Sequence, residues 1–168
     1  MAITYDFIAS TSANGVNQMS FTSIPQTYTD LVVVVYNLTV NQGDGWYYRF
    51  NNDATANAYN LESLAGTGTT VSKIYDLNNY FFSTQIQGAG TNSSYPSVGI
   101  FQVNRYTDTS YWKPCFFISG STTPTAFAFD YNTGIWASAS AITSIQIGTA
   151  GTVTLSNTKA TLYGIKAA

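Results

Sequence analysis

Apolar and polar residues alternate with a period near two along most of this chain, and the 3.6-residue spacing of an amphipathic helix is nearly absent. Ile3, Tyr5 and Phe7 fall on one parity while Thr4 and Asp6 fall on the other, which predicts a half-buried strand. Asn14-Gly15 follows, a hairpin signal because both residues tolerate positive φ. Residues 19–24 alternate again, residues 25–30 turn at Pro25, and Leu31 with Val32, Val33, Val34 and Val35 suits a strand buried on both faces. Residues 41–45 break the chain before a strand that starts at Trp46, Tyr47, Tyr48, Arg49 and Phe50.

Residues 54–65 fit either one strand or a short helix, and 66–69 read as loop. Further strands are predicted over 80–82, 98–103, 112–119, 127–129, 142–147, 152–155 and 161–165. Roughly ten short strands, with no helix of crossover length between them, predict antiparallel pairing. The expected fold is all-β, a jelly-roll-like antiparallel β-sandwich in a single domain over residues 1–168, with its first and last strands near each other.

Composition then narrows the chemistry. The charged fraction is 8%, against about 25% in an ordinary soluble domain. Ser, Thr and Asn supply about a third of the residues and must meet the water instead. With no histidine, a histidine base and an imidazole-ligated zinc are excluded. The single Cys115 allows neither an intrachain disulfide nor a thiolate cluster. Six basic against eight acidic residues make a phosphate-neutralising surface improbable, so no nucleic acid is expected as partner. No apolar run reaches the length of a membrane span, and the first residues lack the basic and apolar regions of a signal peptide. Synthesis in a cytoplasm is the expectation, with no membrane partner.

The carboxylates Asp44, Asp53, Glu62, Asp76, Asp108 and Asp130 are scattered without a motif, so a glycosidase pair is a poor reading. Asp44 and Asp53 also fall short of a calcium loop. No cofactor, metal or catalytic residue is expected, and an enzyme is not. Aromatics are the stronger signal, with 13 Tyr, 10 Phe and three Trp. Phe7, Phe21, Phe101, Phe117 and Phe129 read as core. Trp46, Tyr47, Tyr48, Tyr111, Trp112, Tyr131 and Trp136 lie beside loops, where such rings either close the ends of a sandwich or touch a partner or a sugar. Few charges and many hydroxyls suit a protein permanently assembled with its own copies; if charges matter there, Arg49, Lys113 and Asp130 are the candidates.

Four segments, in order along the chain, carry a resemblance. They are Thr4-Tyr5-Asp6-Phe7-Ile8-Ala9-Ser10, then Met19-Ser20-Phe21-Thr22-Ser23-Ile24-Pro25-Gln26-Thr27-Tyr28-Thr29-Asp30-Leu31-Val32, then Gly134-Ile135-Trp136 with Ala141-Ile142-Thr143-Ser144-Ile145, and last Leu162-Tyr163-Gly164-Ile165-Lys166. Together they resemble a family of small structural proteins of tailed bacteriophages, especially those of cyanobacteria and marine bacteria; residues 52–95 match less well. The resemblance implies a virion component, either a trimeric capsid decoration (cement) protein seated on the major capsid protein or a tail piece that binds host glycan. Ile24 and Leu31 are expected to enter the core, and Tyr28 to cover a sandwich end.

Overall fold

In a computed structural model, residues 5–40, 46–79, 81–83, 97–122, 127–149 and 154–166 are described. They form thirteen strands and no helix: β1 (Tyr5–Ala13), β2 (Gln18–Phe21), β3 (Asp30–Val40), β4 (Trp46–Phe50), β5 (Tyr59–Thr67), β6 (Thr70–Asn79), β7 (Phe82–Ser83), β8 (Ser97–Val103), β9 (Lys113–Thr122), β10 (Phe127–Trp136), β11 (Ile145–Thr149), β12 (Leu155–Ser156) and β13 (Thr158–Ile165). The readings for Ile3, Thr4, residues 41–45 with Asp44, Tyr80 and residues 152–153 lie outside the described residues.

The fold is an antiparallel β-sandwich. A large sheet runs β1-β13-β3-β8-β9-β10-β5-β6, with β12 beside β3, and a smaller sheet runs β2-β11-β4-β7. It is jelly-roll-like in that the chain crosses repeatedly between the sheets, and the first and last strands pair, with Asp6 opposite Gly164 and Ser10 opposite Thr161. Each strand of the small sheet turns apolar side chains onto the large one. Met19, Phe21, Ile145, Ile147, Tyr48, Phe50 and Phe82 meet Leu31, Val33, Phe101, Phe117 and Leu162 in one core. At its centre the Tyr48 ring lies 4.3 Å from that of Phe101, and Phe50 packs against Phe82, Phe101 and Trp136. Leu31, Val33 and Val35 are fully buried in β3, which is flanked by β13 and β8. Ile24 is buried, and Tyr28 packs over Gly164 against the core's edge.

Several local expectations change. Asn14-Gly15 does not make a hairpin, because β2 pairs with β11 rather than β1. Only Gly15 takes a positive φ, at 71°, and its amide donates to the Leu155 carbonyl. The turn therefore carries the chain from one sheet to the other. The ambiguous stretch 54–65 contributes β5, and the loop expected at 66–69 shrinks to Gly68-Thr69 between paired Thr67 and Thr70. Gly68, with φ 59°, supplies the first position of a tight primed turn. β6 is a strand the alternation did not reveal.

Phe21, Phe101 and Phe117 are core, but Phe7 and Phe129 are not. Phe7 stands on the edge strand β1 and meets Tyr163 edge-to-face, while Phe129 faces out from β10. Period two shows which residues share a face but not which face is covered.

Gly134, central in β10, fixes a close approach. A Cβ there meets the Phe82 ring at 2.6 Å and the Asn60 carbonyl at 2.9 Å. Because that carbonyl belongs to a paired strand, Gly134→Ala is expected to cost about 1–3 kcal/mol, measured by urea denaturation. An unchanged midpoint would show that β5 can move aside.

Candidate functional site: an apolar sheet face and an aromatic loop

The two faces of the large sheet are inverted over one part of β9, β10 and β5, beyond the core residues Phe117, Trp136 and Leu61 of the same strands. Inward lie Ser63, Ser119, Asp130 and Asn132, all buried. The Ser63 hydroxyl donates to Asp130 Oδ1 at 2.5 Å. Outward lie Leu64, Ile118, Phe129 and Tyr131. Register joins these into cross-strand rows: Val34, Ile100, Ile118, Tyr131 and Leu64 follow one another from β3 to β5. With Val71, Tyr75, Val98, Phe127 and Phe129 they make a broad apolar face, its members on β8, β9, β10, β5 and β6 38% to 66% exposed and Val34 less so. Lys73, between Val71 and Tyr75 and opposite Leu64, and Glu62, opposite Tyr75, stand on this same face 2.6 Å apart and neutralise each other. The opposite outside surface, on the small sheet, is more polar. There Arg49 Nη1 donates to Gln146 at 3.3 Å, and the guanidinium lies 5.1 Å from the Tyr47 ring centroid.

A second feature is the loop between β8 and β9. It presents Tyr111 and Trp112, 60% and 54% exposed. Its backbone is braced from within by Lys113, only 1% exposed, whose ammonium donates to the Asp108 carbonyl and, at 2.8 Å, to that of Tyr111. Asp108 accepts from the Ser110 amide at 2.7 Å and pairs with Arg105 at 2.8 Å. Arg105 in turn lies over the Tyr111 ring at 5.1 Å. Tyr106, buried beneath, bonds the Pro25 carbonyl. The result is a held platform of two rings and one cation.

Of the rings singled out by sequence, Trp46, Tyr47, Tyr48 and Trp136 are buried. β4 has core on one side and, on the other, the Phe81 ring stacked on Tyr47 at 4.6 Å. Trp136 Nε1 donates to Asp53 at 2.8 Å, which ties that carboxylate to the core. Tyr111, Trp112 and Tyr131 remain accessible. Lys113 and Asp130 are interior and cannot bridge subunits. Sequence reading missed Leu64, Ile100 and Ile118 as surface residues, because an apolar parity is ordinarily the inner one. Among the described residues no three His, Cys, Asp or Glu gather to hold a metal ion.

Titration behaviour follows from burial. Desolvation raises the hydroxyls of Tyr48, Tyr59 and Tyr106 and the Cys115 thiol. Each has a folded pKa above its unfolded one, so its stabilisation is whole below the ordinary tyrosine or thiol range and is lost as pH rises through it. Desolvation lowers Lys113, with Asp108 opposing, and this single group acts in the other sense. Burial alone would raise Asp53, but hydrogen bonds from Thr55 and Trp136 leave it lowered. The Ser110 amide lowers Asp108, helped by Arg105. The stabilisation from both carboxylates is lost as pH falls below the ordinary carboxylate range. With no histidine, the urea midpoint should stay level from about pH 5 to 8 and fall below about 4 and above about 9.5. A midpoint that climbs steadily through pH 6–7 would contradict this.

Comparison with protein-family models and with curated proteins finds no match. Among solved structures, the C2A and C2B domains of extended synaptotagmin 2 align with 84% of this chain and 42% of that one, at 7% identity and a TM-score of 0.17. This chain spans less than half of that structure, and a likeness so slight carries no argument.

Proposed function

We propose that the chain is a non-enzymatic structural protein of a tailed-phage virion, a trimeric decoration protein that cements the shell of the major capsid protein. The observation that supports this reading best is the exposed apolar face of the large sheet, far broader than scattered surface residues need be. Low charge adds to it, since copies crowded on one shell repel each other little. Cementing requires that burial across neighbouring capsomers exceed the cost of immobilising each added oligomer. Its seat would be the capsid surface, after synthesis in the host cytoplasm. Particles made without this chain are expected to assemble normally but release DNA at lower temperature, and added purified protein should restore them. Equal heat resistance with and without it counts against cementing.

A second reading, a tail module that binds host polysaccharide, draws on the braced Tyr111–Trp112 platform, since exposed rings stack on sugars. Trp46, which sequence placed beside Trp112 in that role, is buried and drops out. A glycan array decides: saturable binding at least tenfold weaker in Trp112→Ala favours the tail, and no binding by folded protein removes it. In either reading, polysaccharide incubated with the protein should release no reducing ends.

A further inference from the structure

We infer that the outer face of the large sheet, from β8 to β6, is the surface on which a second copy of this chain docks. The copy-number setting rests on the proposed multi-copy role, but the docking is read from the face itself. The inversion is the first ground. Where β9, β10 and β5 run past Phe117, Trp136 and Leu61, the buried parity turns polar, at Ser119, Ser121, Asp130, Asn132 and Ser63, while Ile118, Phe129, Tyr131 and Leu64 face out. A lone domain gains nothing from that orientation, whereas an assembled one buries both faces.

Area is the second ground. Nine residues of this size, each roughly half exposed, offer on the order of 700 Å², near the ~800 Å² per partner of a stable interface and above the ~300–600 Å² patch of an ordinary monomer. Relief is the third. Gly120 lies between Val98 and Phe129 in register, and a Cβ there would meet nothing nearer than the Ala128 carbonyl at 3.9 Å. It leaves a recess beside projecting rings. A hollow of about 260 Å³ opens beside Tyr131 and Leu64, with the Glu62–Lys73 pair also in its wall. One face thus carries both projections and recesses, as self-association requires.

Charge selects the occupant. The only ions within this region, among the described residues, are Lys73 and Glu62, already paired with each other. An anionic polymer or lipid would find no countercharge, while a second copy brings an equally neutral surface.

The test is light scattering on the purified full chain at about 50 μM. Wild type should show a mass several times 18.2 kDa, unchanged up to about 1 M salt because apolar burial is not screened. Ile118→Lys and Tyr131→Glu should fall to monomer with an unchanged strand-type circular dichroism spectrum, and Ser20→Lys, on the far sheet, should not. Gly120→Leu fills open space without disturbing the fold and should weaken association at least tenfold. A monomeric wild type, or variants that keep full mass, overturns the inference. A monomer that is nonetheless present in virions, and loses capsid binding in Ile118→Lys, would assign the face to the capsid and leave the virion reading standing. A stable oligomer absent from virions would do the reverse.

Discussion

Phe101→Ala should cost about 3–5 kcal/mol, because a fully buried ring leaves a cavity that its neighbours cannot all close. Tyr48, Phe50, Phe82 and Phe117 each stand within 6.4 Å of it, centroid to centroid. They come from three strands of both sheets, so the loss loosens the joint between the layers rather than one strand. Tyr48→Phe, on the facing ring, should behave oppositely. Its hydroxyl is buried with no hydrogen-bond partner among the described residues, so removing it should leave stability level or raise it by about 1 kcal/mol. Urea denaturation of both variants separates packing from polarity at one contact. A Phe101→Ala loss under about 1 kcal/mol would mean that the core collapses readily around the gap.

Asn51→Ala is expected to lose about 2–4 kcal/mol, although the residue is only half-buried. Its Oδ1 accepts from the amides of Thr143 and Ser144 at 2.8 and 3.1 Å and from the Thr143 hydroxyl at 3.2 Å. Its Nδ2 donates to the Ala141 carbonyl at 2.8 Å. One side chain thus holds the segment that delivers Ile142 and Ile145, both fully buried, to the core. The backbone of Asn51 is left-handed, with φ 49°, which alanine tolerates poorly. Asn51→Gly should recover about 1 kcal/mol of the loss by easing the backbone. Asn51→Asp should lose the least, since it keeps the acceptor. The order Asp, Gly, Ala in denaturation midpoints is the check; an alanine variant as stable as wild type would show that the 141–144 segment holds itself.

What the sequence made legible was periodicity. β3, β8 and β13 were plain because β-branched runs suit a central strand, and the pairing of the chain's two ends followed from strands at both termini. The choice of inner face was not legible for β9 and β10. Ser119 and Asp130 alternate with Ile118 and Phe129, and a reader places the apolar set inside; register with Phe117 and Phe101 places it outside instead. β6 escaped notice because both of its parities mix apolar with charged residues, as in Val71, Lys73 and Tyr75 against Ile74 and Asp76. Of the aromatic candidates, Tyr111 and Trp112 sit where loop composition suggested. Trp46 and Trp136 do not, because a strand end beside a loop can still lie beneath the opposing sheet.

The proposed virion role is tested most directly by quantitative mass spectrometry of purified particles of the phage that this reading proposes as the chain's source, counting its copies against those of the major capsid protein. The account predicts hundreds of copies per particle, in fixed ratio to the capsid protein. Absence from the particles would contradict a virion role, and a dozen copies or fewer would move the protein from the shell to the tail.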